Sequence, residues 1–299
     1  MRCTQGVRGI LTGTRPAALV ASAVLATAVG ASGQGARAAA PAGAPATTAT
    51  RSAPVQPCPT QPVEPNPPAA ATPAATVPVP APVDLPASSA AFGAGYPGNA
   101  RYLVGPGDWT CDAVYFAGDG GEQAYLHPAP AESDPVGARF ASLVQAVFDS
   151  GGAQTDVDLA CPFIAQATAP TTPGGQPATC LAPPPQSADQ VHPVATGTPG
   201  LHVAAVGVPS GVREPNIAAS GQSPPAGPSR PVVALVTLQG PQGTAQEISC
   251  AMTGSTAVES CQASLGYFLA TSAVGGQLSD TELAGAVADL DAFVAAFLG

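Results

Sequence analysis

Residues 109–127 have the sequence WTCDAVYFAGDGGEQAYLH, which predicts a β-hairpin. The stretch 109–116 alternates apolar and polar side chains, which is the period of a strand with one buried face. Residues 117–121 carry the glycines that tight hairpin turns use, and residues 123–127 complete the second strand. The same patterns predict further strands at 102–104, 202–208, 231–238 and 245–252, the last two joined by a turn at 239–243.

Helical periodicity marks three other segments. Asp134 and Pro135 are typical of a helix N-terminus, and an apolar stripe follows them, made of Phe140, Leu143, Val144, Val147 and Phe148. Residues 257–274 predict a second helix, and Ser279-x-x-Glu282 is a capping box that begins a third. Hairpins with a helix between them and a helical pair at the end favour an α+β fold, a small disulfide-bonded domain with about three helices.

The N-terminus has the pattern of a secretory signal peptide over residues 1–38. Three arginines precede an apolar run at 17–29, and Ala36-Arg37-Ala38 fits the small-x-small cleavage pattern. The apolar run is shorter than the roughly 20 residues that a membrane-spanning helix needs. We therefore expect export by the Sec route, a secreted or envelope-associated location, and no membrane span after cleavage.

Residues 39–90 are expected to form a disordered linker rich in Pro, Ala and Thr. The stretch 41–90 holds 14 Pro and few large apolar side chains, so it has little surface to bury in return for becoming ordered. We place the globular domain at 91–299, with Pro-rich loops at 169–200 and 209–231.

Charge and composition exclude several classes of function. All nine basic residues are Arg, which removes sites that need a lysine, such as a Walker A loop or a Schiff-base enzyme. Cleavage after Ala38 leaves 5 Arg against 19 acids, a net charge of −14. Such a surface repels phosphate backbones and anionic lipid headgroups, so nucleic acid is not expected as a partner. No cofactor and no metal site are predicted.

Six cysteines follow Cys3, and an even number in an exported chain predicts disulfides. Their spacing does not match the knuckles of a zinc site. Cys250 with Cys261 is favoured because only ten residues separate them, and Cys161 with Cys180 is the next most local pair. Elimination leaves Cys58 with Cys111. The alternative in which Cys111 pairs with Cys161 and Cys58 with Cys180 stays open.

Catalytic candidates are sparse. His127, His192 and His202 are not paired at metal spacing, and no local motif marks a nucleophile beside them. Asp156 and Asp158 would share one face of a strand, which suggests the carboxyl pair of a glycosidase, but the chain is poor in the aromatic residues that stack on sugars. No catalytic residue is therefore assigned.

Trp109, the only tryptophan, is expected to pack in the core against the disulfide of Cys111. The segment around it, LVGPGDWTC at 103–111, together with LHP at 126–128, ACPF at 160–163 and the cysteines of 249–268, resembles a family of secreted, mostly actinobacterial domains. The resemblance covers about 100–268. It implies an exported disulfide domain, and no activity is established for the family.

These observations favour an exported, non-catalytic domain that binds an extracellular or cell-wall partner. The alternative is a secreted hydrolase whose Ser, His or acidic site is not visible as a local motif. The two differ in the site they need. An enzyme requires a cleft in which His, Ser or carboxyl groups of shifted pKa converge, whereas a binding domain requires an exposed apolar or aromatic patch.

Overall fold

A computed structural model provides the coordinates. The residues it describes are 51–62, 69–116, 120–128, 142–165, 167, 180–221, 229–240 and 244–299. The predicted signal peptide lies outside the described residues. So do part of the first hairpin turn, at 117–119, and parts of the two predicted Pro-rich loops, at 169–179 and 222–228.

Twelve strands and four helices make up the described chain. In chain order they are β1 Arg51–Cys58, β2 Thr60–Pro62, β3 Thr76–Val79, β4 Ser89–Tyr96, β5 Asn99–Pro106, β6 Trp109–Phe116, β7 Gly121–Pro128, β8 Leu143–Asp149, α1 Ala153–Ala160, β9 Gln190–Val194, β10 Leu201–Val208, α2 Ala218–Gly221, β11 Val232–Gln239, β12 Ala245–Ala251, α3 Ala257–Thr271 and α4 Asp280–Leu298. A short 3-10 turn, Gly275–Gln277, connects α3 to α4.

The strands form two sheets. The smaller has the order β3-β1-β4-β5, and the larger has the order β2-β6-β7-β8-β12-β11-β10-β9. The predicted hairpin is confirmed: β6 and β7 pair antiparallel from Trp109 opposite Pro128 to Phe116 opposite Gly121. The predicted capping box is also present, since Ser279 and Glu282 bond to each other's backbone N–H groups at the start of α4.

The α+β prediction is wrong, because among the described residues 42% lie in strands and 23% in helices, and the strands pair into two sheets. The predicted helix after Asp134 is the main error. Asp134, Pro135 and Phe140 lie outside the described residues, and the rest of the apolar stripe lies on β8. This strand, LVQAVFD, is one of the two central strands of the larger sheet and is buried on both faces. A strand covered on both sides loses the alternation of a surface strand, so its apolar run is easily mistaken for a helix.

The disordered linker is also wrong over its described part. Residues 51–62 and 69–90 hold β1, β2, β3 and the start of β4. The prolines are tolerated because each half of β1 pairs on one side only: Arg51–Pro54 with β3, and Val55–Cys58 with β4. Pro54 and Pro57, which lack an N–H donor, therefore never need to bond to two neighbouring strands. Residues 39–50 and 63–68 of the predicted linker lie outside the described residues.

The larger sheet is covered on both faces. One face packs against the smaller sheet, α3 and α4, with buried residues that include Phe92, Leu126 and Ile248. The opposite face packs under α1 and α2, with Tyr125 and Ile217 among its buried residues. This second face carries the candidate site, because polar side chains there interrupt the apolar packing.

Candidate functional site

The cysteines form three disulfides, so the prediction of a disulfide-bonded chain is confirmed. The pairs are Cys58–Cys111, Cys161–Cys180 and Cys250–Cys261, with Cα atoms 4.8, 5.8 and 5.6 Å apart. These are the pairs that sequence separation and elimination favoured. The first joins β1 to β6, the second joins the end of α1 to the segment before β9, and the third joins β12 to α3.

Trp109 is half-buried at the start of β6. It packs against the core between the two sheets, and this core includes both sulfur atoms of the Cys58–Cys111 disulfide. Its position supports a structural role, because an aromatic ring of this size contributes a large buried area to a core.

His127 lies beside a carboxyl group, as a catalytic dyad would require. Its Nε2 is 2.9 Å from Oδ2 of Asp112, and its Nδ1 is 3.1 Å from the carbonyl oxygen of Pro128. The ring is fully buried, however, and it lines neither of the two cavities described below. A general base must come within hydrogen-bonding distance of its substrate, so the position of His127 supports a structural role between β6 and β7.

The other two histidines also lie on strands. His192 on edge strand β9 contacts Asp289 of α4, with Nε2 3.0 Å from Oδ1. Its ring stacks on Phe293 with centroids 5.5 Å apart, so the pair fastens the edge of the sheet to the last helix. His202 is half-buried on β10.

Asp156 and Asp158 lie on helix α1, so the prediction that they share a strand face is wrong. Two residues apart on a helix, they point in different directions. Asp156 is buried and accepts a 2.6 Å hydrogen bond from the Ser150 hydroxyl. Burial raises the pKa of Asp156, and the bond from Ser150 partly opposes that shift. Asp158 instead faces a cavity beside the helix.

That cavity, the Glu247 cleft, has a volume of about 260 Å³. Its floor is one cross-strand row, in which Gln123 of β7 and Glu247 of β12 both pair with Val147 of β8. Helix α1 forms one wall and the segment 215–218 forms the other. The complete lining is Gln123, Val147, Ser150, Thr155, Asp158, Leu159, Pro215, Asn216, Ala218 and Glu247.

Glu247 is the most unusual residue of the cleft. Its residue surface is only 1% exposed, and Oε1 accepts a 3.0 Å hydrogen bond from the backbone N–H of Ala218. Burial raises the pKa of Glu247 to about 8, although hydrogen bonds from Ala218 and Ser249 partly oppose the shift. The carboxyl group is therefore largely protonated at neutral pH, at a point where it lines a cavity.

Asp189 and Glu214 form a second carboxyl pair, which supports the wall of the cleft that contains Asn216. The backbone N–H of Gln186 is 2.9 Å from Asp189 Oδ2 and 3.1 Å from Glu214 Oε2. Burial, and then the hydrogen bond and the charge of Glu214, raise the pKa of Asp189 to about 7. Glu214 Oε1 in turn accepts bonds from the backbone and side chain of Asn216, at 2.9 and 2.8 Å.

The rim of the cleft is held by the Cys161–Cys180 disulfide and its neighbours. Leu181 donates its backbone N–H to Asp158 Oδ1 at 2.8 Å, and Asn216 donates to the carbonyl oxygen of Pro183 at 3.2 Å. These bonds connect the segment after Cys180 to both walls. A site on such a support is more rigid than one carried by a free loop.

Metal binding at this rim is not supported. Within the described ranges, one group of potential ligands comes together, formed by Asp158, Cys161 and Cys180 with their ligand atoms within 4.8 Å. The two sulfur atoms are joined in a disulfide, whereas a cysteine ligand must be a free thiolate. The carboxyl of Asp158 is left as a single ligand.

A larger cavity of about 430 Å³ lies between β1, the segment 70–75 and the glycines Gly93 and Gly95 of β4. Its lining side chains are apolar apart from the Thr60 hydroxyl. Ligand sites combine apolar walls with a few convergent polar groups that orient the ligand. The Glu247 cleft meets that description better.

Sequence reasoning missed Glu247, Ser150 and Asn216. No motif connects them, because they come from β12, the end of β8 and the loop before α2. One signal was available for Glu247, an acid in the middle of the predicted strand AQEISC. An ionisable residue inside an otherwise apolar strand indicates either a buried partner or a site.

No protein-family model matches this chain, and neither a curated protein nor a solved structure matches it significantly. The resemblance to secreted actinobacterial domains therefore stays a prediction. Among the helices of the described ranges, none has the length and apolar character needed to cross a membrane.

Proposed function

We propose that this protein is an exported domain that binds a small polar ligand in the Glu247 cleft without reacting with it. The observation that supports this best is the convergence of a buried, protonated carboxyl group with hydroxyl and amide side chains in one cavity of about 260 Å³. Four apolar side chains, Val147, Leu159, Pro215 and Ala218, complete the lining. A few oriented polar groups on an apolar background are typical of sites for small ligands.

Export is part of the proposal. Three disulfides are compatible with an oxidising compartment outside the cytoplasm, and the N-terminal charge and apolar pattern is that of a signal peptide. The likeness to secreted actinobacterial domains points the same way.

A secreted hydrolase is the second candidate, and one observation favours it. Glu247 and Asp158 place two carboxyl groups in one cleft, one buried and one partly exposed. A general acid and a general base require such different environments. Binding without reaction is the better explanation of the cleft, because both carboxyl groups already accept backbone hydrogen bonds that hold its walls in place. Glu247 anchors Ala218, and Asp158 anchors Leu181.

The test is a screen of small amines, polyols, amides and carboxylic acids against the 15N-labelled protein with its disulfides formed. The proposal predicts shift changes concentrated on the amides of Ser150, Thr155, Asn216 and Glu247. Compounds that shift other regions alone, or no compound that shifts the cleft, would contradict it. Turnover of chromogenic glycosides or esters that Glu247→Gln abolishes would instead establish the hydrolase.

A further inference from the structure

Two neutral polar groups of the Glu247 cleft have already used their hydrogen-bond donors. The Ser150 hydroxyl donates to Asp156 Oδ1 at 2.6 Å, and the Asn216 amide donates to Glu214 Oε1 and to the carbonyl oxygen of Pro183. A hydroxyl has one hydrogen and an amide has two, so both donor sets are spent. What these side chains still offer a ligand is acceptor oxygen.

The carboxyl groups add to this excess of acceptors. Asp158 Oδ1 accepts from the backbone of Leu181 and from Gln154, and Glu247 Oε1 accepts from Ala218. Each group keeps a second oxygen. The donors that the lining still offers are the Gln123 amide and the Thr155 hydroxyl, each of which also carries an acceptor, together with the O–H of Glu247 as long as that carboxyl group is protonated.

The ionisable residues that line the cleft, Asp158 and Glu247, are both acidic. Asp158 and Asp156 lie on α1, Asp149 ends β8, and Glu214 precedes α2, while Glu122 on β7 is engaged with Arg101 at 3.0 Å on the other side of the sheet. Of the described residues that line the cleft, none is basic. An anionic ligand would meet the negative charge of Asp158 with neutral donors alone, and no positive side chain of the lining would compensate its charge.

We infer that the Glu247 cleft selects a ligand that carries a protonated amine, an inference that rests on the proposed binding function. An ammonium group has three donors and no acceptor, which complements the acceptor oxygens of Ser150, Asn216 and the two carboxyl groups. A metal ion fits less well. It requires several ligand atoms close together, and in the described residues the one three-residue cluster that contains Asp158 is completed by the disulfide-bonded Cys161 and Cys180 and does not include Glu247.

Binding of the amine is coupled to ionisation of Glu247. The protonated carboxyl group loses its proton to solvent when the ammonium group arrives, and the amine keeps all three of its own. The raised pKa of Glu247, about 8, is what makes this release observable at neutral pH. Amine affinity should therefore rise with pH between about 6 and 8, by roughly ten-fold per unit at most.

The experiment compares three compounds built on one ring. Cyclohexylamine is cationic, cyclohexanol is neutral and cyclohexanecarboxylate is anionic, while the ring contacts Val147, Leu159 and Pro215 equally in each case. Titrations of the labelled protein at pH 7 should show the amine binding to the cleft at least roughly ten-fold more tightly than the alcohol, and the carboxylate weakest. Calcium chloride serves as the metal probe.

Substitutions test the same point. Glu247→Gln and Asp158→Asn should each weaken the amine roughly ten-fold and leave the alcohol little changed. Glu259→Gln, an exposed carboxyl on α3, is the matched control and should have no effect. If Glu247→Gln fails to fold, the rise of amine affinity with pH in the unaltered protein supplies the same information.

The outcomes separate the two proposals. Equal or tighter binding of the alcohol or the carboxylate in the cleft would overturn the amine inference and leave the binding function standing. Calcium shifts at the cleft that compete with the amine would also overturn it, in favour of a metal site. If none of these probes and no compound of the wider screen shifts the cleft, both proposals fail.

Discussion

The backbone N–H of Ala218 donates a 3.0 Å hydrogen bond to Oε1 of Glu247. This bond fastens the start of α2 to the centre of the larger sheet, where Glu247 pairs with Val147. The same arrangement buries the carboxyl group, and this burial raises the pKa of Glu247, whereas the hydrogen bond from Ala218 partly opposes the rise. The protein therefore carries a proton in its cleft at neutral pH.

Glu247 should make the folded state less stable as pH rises. Its pKa is about 8 when folded and 4.5 as an ordinary glutamate, so the folded state holds one proton more between these values. Stability is thus lost on going from pH 4.5 to pH 8, by at most about 1.4 kcal/mol per unit. Glu247→Gln should remove this part of the slope, which urea unfolding at pH 5, 6.5 and 8 would measure. An unchanged slope would contradict the burial argument.

Asp189 should also make the folded state less stable as pH rises. Its pKa of about 7, against 3.8 for an ordinary aspartate, means that stability is lost as pH rises from about 4 to 7. Asp189→Asn, which can bond to Glu214 without a charge, should flatten that region of the pH curve. The exposed Asp108→Asn serves as the control. Equal curves for both variants would contradict the raised pKa of Asp189.

The Cys161–Cys180 disulfide should matter more for binding than its stability contribution suggests. Closing 19 residues gives about 3 kcal/mol on the chain-entropy model, against about 4 kcal/mol for the 53 residues between Cys58 and Cys111. We expect the double Ala variant at Cys161 and Cys180 to lose cleft binding while it remains folded. The variant at Cys58 and Cys111 should lose more stability. Cleft binding that survives without Cys161–Cys180 would show that the rim is held by the hydrogen bonds alone.

Gly95→Ala tests whether part of the predicted linker is folded onto β4. A Cβ at this position would collide with the carbonyl oxygen of Ala71, whose backbone N–H bonds to Tyr96 at 2.9 Å. The substitution should release the segment 69–75 and make it sensitive to protease. Gly285→Ala in α4 is the control, because its Cβ meets nothing and alanine favours a helix by up to about 1 kcal/mol. A Gly95→Ala protein as resistant as the unaltered chain would argue against this packing.

Local patterns predicted much of the secondary structure. The hairpin of β6 and β7 depends on residues close in sequence, and so does the capping box of α4. The disulfide pairs Cys250–Cys261 and Cys161–Cys180 were favoured for the same reason. The errors arose where tertiary burial overrides the local pattern. β8 has an apolar run because it lies at the centre of a covered sheet, and β1 holds its prolines because each half pairs on one side only.

The candidate site was beyond the reach of local patterns. Ser150, Asn216 and Glu247 lie up to 97 positions apart and meet because β8 pairs with β12 and the loop before α2 folds over both. Only the acid inside the strand AQEISC signalled that something other than apolar packing occurs there. The donor and acceptor balance that favours an amine depends on hydrogen bonds that sequence does not show.

The most direct test of the account is calorimetric titration of cyclohexylamine at pH 7 in two buffers of different ionisation enthalpy. If the Glu247 cleft binds the amine, the apparent binding enthalpies in the two buffers should differ by an amount that corresponds to the release of nearly one proton. The same titration of Glu247→Gln should show no such difference. Buffer-independent heats in the unaltered protein, or no binding at the cleft, would contradict the account.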